Sequence, residues 1–298
     1  MCIRSCISVV LCTRNRGASL HSTLQSLAQA VVLGDLDVEL IVVNNGSTDS
    51  TAEVVRGFTI SGMAARYVSE PKIGKGYAYN AGVTAAQGEV LLFTDDDVRV
   101  PSDWVERMCR PILNGEAEAV QGGVRLAPHL ERPWLTGCLR LWLAAVEHPN
   151  IRPEGLVGAN MAIRRETLAA TGGFDPRLGP GAAGFFDDTM VGWAIERAGG
   201  RILYLPGVAV EHHFDPDRLA LRSFFQIARR MAASRALVMK DAVPSTGRPS
   251  FFELFCELPG LVLRFFTQAF RLIGDPRPDP GFLVRYYRIC LWAAMRRK

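Results

Sequence analysis

The chain has 298 residues, 48% of them apolar and 21% charged, with a formal net charge of +4. That is enough apolar residue to close one large core, which excludes a disordered chain. The slight positive excess excludes the nucleic-acid binders, whose basic residues would crowd one face.

Residues 7–12 form an apolar run that reads as a strand, and Leu20, Leu24, Leu27 and Val31 then recur at helical spacing. Residues 38–43 are almost continuously apolar, as in a strand buried on both faces. The turn NNGSTD follows, then a helix from near Ser50 with Glu53 placed for a capping box. A short strand at Tyr67, a helix over 77–86 and a strand over 90–93 complete the series. Strand and helix alternating at this spacing predict βαβ units and a parallel sheet covered by helices. Farther on, 134–146 and 189–197 read as helices, 157–163 as a strand, and 202–205 with 208–210 as two short strands. Trp142 and Trp193 read as core. After Asp217 come helical runs rich in basic and aromatic residues, broken by Pro-rich connectors at 244–249 and 275–281.

Ligands of such sheets collect outside the carboxyl ends of the strands, where strand order reverses. Three polar clusters fall at those ends: TRNR (13–16), NNGSTD (44–49) and TDDD (94–97). Asp95, Asp96 and Asp97 repel one another, so a positive group is expected beside them. In an extended chain Asp95 and Asp97 face one site while Asp96 points away. Hard oxygen ligands of this kind suit Mg²⁺ or Mn²⁺. The alternative for the cluster alone is a solvated acidic loop capping a helix that begins near Ser102.

The seven cysteines show no C-x-x-C pair and no zinc spacing, and read as reduced thiols. No signal peptide is visible, and the apolar stretch 251–273 is interrupted by Glu253, Glu257, Pro259, Arg264 and Arg271. The expected location is therefore the cytoplasm or the inner face of the membrane. The tail FLVRYYRICLWAAMRRK has the pattern of a basic amphipathic helix that makes peripheral membrane contact. Its alternative is a helix packed on the catalytic unit or on a second subunit of a homo-oligomer.

The string FTDDDV resembles the D-x-D motif of GT-A glycosyltransferases. CTRNR, VVNNGSTDST and KIGKGYAYNAG resemble, in the same order, the nucleotide-binding pattern of the inverting family 2. GGFD at 172–175, the pair Asp187 and Asp188, and His212 resemble that family's acceptor half, so the likeness runs from Ile7 to Arg235. The resemblance implies a GT-A-type, Rossmann-like α/β fold with a mostly parallel sheet flanked by helices and a helical C-terminal extension. Residues 1–100 would form the nucleotide-binding half, 101–216 the acceptor half, and 217–298 the extension.

By the same resemblance Thr13, Arg14, Asn15, Asn44, Asn45, Gly46, Ser47, Lys75, Asn80, Asp95 and Asp96 border the nucleotide. Arg14 or Arg16 would lie near its ribose or phosphates, although an exposed basic turn is the preferred reading of Arg16. Asn44 stands where the family has Asp, which leaves uridine and guanosine both open. Asp97, Asp95 and His212 would hold the metal, with His213 the rival of His212, because adjacent residues of an extended chain cannot both face one site. Asp188 is the expected catalytic base and Asp187 its rival, because the family's Glu–Asp pair is Asp–Asp here. The run GPGAAG (179–184) reads as a mobile loop over the site.

The implied reaction is inverting, metal-assisted transfer of a sugar from a UDP-sugar first, or a GDP-sugar second. The acceptor would be a hydroxyl of a glycan, glycolipid or small molecule. No Q-x-x-R-W motif is present, which favours single addition in cell-surface glycan or glycolipid synthesis. Two rivals stand beside it: a sugar-phosphate nucleotidylyltransferase, poorly matched by the Gly-poor TRNRGAS, and a non-catalytic glycan-binding scaffold. A dinucleotide-binding dehydrogenase is disfavoured, since no G-x-G-x-x-G follows the first strand.

Overall fold

The computed structural model describes residues 5–30, 34–60, 63–135, 137–147, 153–242 and 277–296. The expected connector at 244–249 and the apolar stretch 251–273 lie outside the described residues, as does most of the 275–281 connector's first half.

Strands β1 (Ser5–Thr13) and β2 (Leu36–Asn44) bury both faces, which only a sheet covered on two sides allows. They pair in parallel with Thr13 opposite Asn44. Strand β3 (Ala64–Ser69) adds to β2 and β4 (Val90–Asp95) adds to β1, both parallel, with Cys12 opposite Asp95. Thr13, Asn44 and Asp95 therefore end neighbouring strands at nearly one level. The second half is mixed. Strand β7 (Asn160–Arg164) runs antiparallel to β4, and β6 (Ala119–Leu126) antiparallel to β7. Strand β8 (Ile202–His212) lies parallel to β6, and the two-residue β5 (Val98–Arg99) closes the edge. The order β3-β2-β1-β4-β7-β6-β8-β5 reverses between β1 and β4. That reversal opens a crevice at their carboxyl ends.

Alternate residues of the strands feed two cores. On one face Val9, Leu11 and Val38 meet Leu20, Leu24 and Leu27 of α1 (Gly17–Ala28) and Trp104 and Met108 of α4 (Trp104–Leu113). On the other, Val10, Ile41 and Phe93 meet Tyr79 of α3 (Lys75–Ala85), Leu168 of α6 (Arg165–Ala170) and Ile195 of α7 (Asp187–Arg197). A third cluster joins Leu139 of α5 (Gly137–Trp142), Phe224 and Ile227 of α8 (Leu221–Ala242), and Leu283 of α9 (Pro280–Arg296). Phe225 meets Phe282 and Tyr286 edge-on at 5.7 and 4.8 Å, locking α8 to α9. Among the described residues no helix is long and apolar enough to cross a membrane.

Several expectations are corrected. The two short strands at 202–205 and 208–210 are one strand, β8, whose register against β6 shifts between Gly122 and Gly123. The helix expected over 134–146 is only α5, because Ala144 takes a left-handed φ of +63°. The capping box does not form. Ser50 makes no side-chain cap bond, and Asp49 instead accepts from the Thr51 N–H (3.1 Å) and hydroxyl (2.5 Å) ahead of α2 (Thr51–Gly57). Trp142 is buried, whereas Trp193 is half-buried, donating to the Glu154 carbonyl under the Arg235 guanidinium.

Candidate active site

A cavity of about 320 Å³ opens at the β1–β4 crevice, lined by Thr13, Arg14, Arg16, Asn45, Lys75, Asp95, Asp96, Asp97, His212 and Arg218, among others. All three carboxylates reach it, contrary to the expectation that Asp96 points away. The reason is local: β4 ends at Asp95, and residues 96–97 form a turn rather than extended chain. Asp96 accepts from the Thr13 hydroxyl at 2.7 Å. The expected positive partners are Arg16 and Lys75. Arg16 Nη1 lies 3.3 Å from Asp96 and 2.5 Å from Asp97, and Lys75 Nζ lies 2.6 Å from Asp95. Arg16 thus lines the cavity as an ion-pairing group while its side chain stays 41% exposed, so an exposed turn and a place in the cavity go together.

The two adjacent histidines diverge. His212 is buried, with Nε2 3.2 Å from Asp97 Oδ1. His213 turns its ring to Glu211 at 2.6 Å, while its N–H donates to the Asp97 carbonyl at 2.6 Å.

These contacts separate Asp96 and Asp97 electrically. Burial alone would raise both. Burial does push Asp96 up, to about 7, against the opposing pull of Arg16. At Asp97 burial is outweighed by His212 and Arg16, which hold its carboxyl well below the usual range. Burial disfavours the Lys75 ammonium, but Asp95 outweighs it and keeps Lys75 charged. Asp97 is therefore held firmly ionised between two nitrogen groups.

The predicted turn residues brace the crevice. Asn15 donates its N–H to Ser47 Oγ (2.9 Å) and accepts from Thr48 N–H (2.8 Å), tying the first strand-end loop to the second. Asn44 accepts from Ser47 N–H (3.0 Å) and donates to the Tyr67 hydroxyl (3.0 Å), across the corner that Gly46 makes. Asn45 donates to the carbonyls of Glu70 and Lys72 and accepts from Gly74 N–H, holding the strand-to-helix segment that delivers Lys75. Asn80 both donates to and accepts from the Phe174 backbone, which fixes GGFD against α3. Of these only Asn45 lines the cavity.

Asp187 and Asp188 begin α7, just behind the cavity. Asp188 accepts from Gly158 N–H (2.6 Å) and Thr189 N–H (2.7 Å). A methyl group at Gly158 would lie 2.8 Å from the Tyr79 hydroxyl, 3.3 Å from Asp188 and 3.4 Å from Lys75 Nζ, so these groups meet over that glycine. Burial raises Asp188, with Lys75 opposing. Burial and then the neighbouring Asp188 push Asp187 up to about 7, and its Oδ2 is buried without a hydrogen-bond partner. The pair thus divides into a proton holder, Asp187, and a carboxylate supported by two amides and an ammonium, Asp188.

The run expected to be a mobile loop makes bonds at both ends in the structure. Lys75 N–H donates to the Pro180 carbonyl (2.8 Å), Gly184 N–H to Gly179 (2.8 Å), and Phe185 N–H to Ser234 of α8 (3.1 Å). Pro180 and Gly181 form part of the cavity rim.

Among the described residues no three His, Cys, Asp or Glu side chains already surround one point as a metal cage would. The donor set nevertheless fits Mg²⁺ or Mn²⁺. Asp97 and His212 meet at 3.2 Å in one cavity, and such ions are held by one or two protein groups with phosphate and water supplying the rest. One charged residue of the cavity lining, Arg218, was not singled out by the sequence reading. Arg218 is presented by the turn Pro216–Leu219, with its guanidinium 4.6 Å from the Phe214 ring. Its sequence signal is faint, a single Arg in FDPDRL six residues after His212.

A helix-covered sheet with this strand reversal and an acidic turn beside a strand-end cavity defines the GT-A class of fold. The glycosyl transferase family 2 model matches residues 8–166, and the chain belongs to that family. The succinoglycan biosynthesis protein ExoM of Rhizobium meliloti is 28% identical over 219 residues, covering 72% of this chain and 69% of that protein. The dolichyl-phosphate beta-glucosyltransferase ALG5C of Trichomonas vaginalis is 36% identical over 97 residues, or 31% of this chain and only 28% of that protein's length. In structure the chain is similar to the mannosyltransferase PcManGT from Pyrobaculum calidifontis, solved in complex with GDP-Man and Mn²⁺. That match has a TM-score of 0.67 and 21% identity over 98% of this chain and 87% of the other, and shows a shared fold.

Proposed function

We propose that the chain transfers a sugar, with inversion, from a nucleotide-diphosphate sugar to an acceptor hydroxyl. The observation that supports this best is the gathering of Asp95, Asp96, Asp97 and His212 with Arg16, Lys75 and Arg218 in one cavity at the β1–β4 reversal. The loops carrying Thr13, Arg14 and Asn45 border the nucleotide, with Asn15, Asn44, Gly46, Ser47 and Asn80 fixing their shape. The donor is a UDP- or GDP-sugar. Arg218 stacks on an aromatic ring, with no carboxylate among the described residues bonded to its guanidinium, and so suits the diphosphate.

Asp97 and His212, with Asp95 beside them, would hold Mg²⁺ or Mn²⁺, which when bound neutralises charge on the departing diphosphate. Asp188 takes the proton of the acceptor hydroxyl as that oxygen attacks the anomeric carbon from the face opposite the diphosphate. One displacement of this kind inverts the configuration and needs no covalent intermediate. Lys75 links the two centres, bonded to Asp95 and close to Asp188. The acceptor is a glycan, glycolipid or small molecule receiving a single sugar.

The test is release of nucleoside diphosphate from a panel of UDP- and GDP-sugars with Mn²⁺, using Asp97→Ala and Asp188→Asn as controls. One donor should turn over in the wild type, with loss in both variants. Equal release by wild type and Asp188→Asn in the presence of acceptors would remove Asp188 as base. A folded wild type inert towards every donor would favour the glycan-binding scaffold.

A further inference from the structure

Arg16 occupies an unusual place among the cavity's cations. Its backbone is anchored: the N–H donates to Thr51 Oγ1 at 3.2 Å, and the carbonyl accepts from Leu20 N–H at 2.9 Å in the first turn of α1. Its side chain reaches across the crevice to the 96–97 turn and remains 41% exposed, whereas Asp97 is 5% exposed. Both Asp97 oxygens are engaged, Oδ2 by Arg16 and Oδ1 by His212. A guanidinium has donors only, so it can neutralise Asp97 but cannot share in ligating a cation there. A divalent cation at Asp97 and the Arg16 guanidinium therefore compete for one oxygen, and they repel each other.

The other cations are placed differently. Lys75 is 17% exposed and pairs with Asp95, the carboxylate beside the Asp97–His212 pair, not with Asp97. Arg218 stacks on Phe214, and no carboxylate among the described residues is bonded to its guanidinium. Of the three, Arg16 alone pairs with Asp97, and its 41% exposure leaves room to swing. A guanidinium displaced from a carboxylate pairs well with a phosphate, which presents oxygens at similar spacing.

We infer that Arg16 is an exchangeable counter-cation: it yields Asp97 to a divalent cation only when a diphosphate arrives to receive the guanidinium, so metal and nucleotide load together. The inference rests on the proposed function for its diphosphate, but its first test does not.

Mn²⁺ alone is titrated into wild type, Arg16→Gln, Arg16→Lys and Asp97→Asn, with free Mn²⁺ read by electron paramagnetic resonance and folding checked by circular dichroism. Removal of one half-exposed charge at this distance should tighten binding of Mn²⁺ alone about tenfold in Arg16→Gln. Arg16→Lys, which keeps the charge, should stay within about twofold of wild type, and Asp97→Asn should bind least. UDP and GDP are then titrated with and without Mn²⁺. The factor by which Mn²⁺ tightens nucleotide binding should shrink in Arg16→Gln, by linkage. Arg16→Gln binding Mn²⁺ alone no tighter than wild type, or Arg16→Lys behaving like Arg16→Gln, would overturn the inference. Failure of wild type to bind any nucleotide would instead count against the transferase reading, leaving the Mn²⁺ comparison to decide the role of Arg16.

Discussion

At the scale of single residues, the two carboxyls at the head of α7 make opposite predictions. In the proposed reaction Asp188 acts as an anion, and burial raises its carboxyl above the ordinary value. The rate should therefore fall as pH drops through that raised value, giving kcat/KM an acid limb at higher pH than an exposed Asp would give. Asp188→Asn should lose about 10²- to 10⁴-fold in kcat with donor affinity retained, measured by steady-state kinetics. Asp187 holds its proton to about 7. Below the unfolded value both states are protonated, so no charge is buried and the pH-dependent penalty is absent. Between 3.8 and 7 the unfolded carboxyl ionises first, so Asp187 lowers stability as pH rises, levelling off above 7. Asp187→Asn should accordingly melt higher than wild type at pH 8, by a margin that shrinks towards pH 4. A margin that grows on acidification would contradict the assignment. The residue types were legible in the sequence, but their division of labour was not. Neighbouring Asp residues look alike in one dimension, and only the orphaned Oδ2 of one and the amide bonds of the other tell them apart.

At the scale of elements, the loop 179–184 and the turn 94–97 show what local sequence can and cannot convey. Glycine and proline marked a loop beside α7, but not the bonds it makes, because their partners lie on α3 and α8, distant in sequence. Gly179 adopts φ +75°, and a methyl group there would lie 2.6 Å from the Asp187 carboxyl. Gly172 has φ +84° with nothing within 4 Å. Gly179→Ala should therefore cost more stability than Gly172→Ala, about 2–3 kcal/mol against about 1–2 in urea unfolding, and only Gly179→Ala should also slow transfer. The acidic turn shows the reverse error. Alternation placed Asp96 away from the site, but alternation applies only while the chain stays extended, and β4 stops at Asp95. Strand β6 escaped the reading for a related reason. Its centre is Gly122–Gly123, with Asn160 packed where a Gly122 side chain would stand, so it lacks a strand's apolar period.

At the scale of the whole molecule, the first hundred residues were the more legible because their parallel strands are short apolar runs with polar clusters at their ends. The rest depends on contacts distant in sequence. The C-terminal helices illustrate this: a basic amphipathic pattern fitted a membrane surface or a protein surface equally well, and the structure buries Phe282 and Leu283 within the molecule. Leu283→Ala should cost about 2–4 kcal/mol, read as a lower melting temperature. Membrane contact through the remaining faces of α9 stands as a proposal for vesicle flotation. The claim on which the rest depends is that the β1–β4 cavity binds a nucleoside diphosphate together with a divalent cation. The most direct measurement is calorimetric titration of UDP and GDP, with and without Mn²⁺, into wild type and Asp97→Ala. The account predicts tight binding of one nucleotide that requires Mn²⁺ and is lost in Asp97→Ala. Binding equally strong in the variant, or none in a folded wild type, would contradict it.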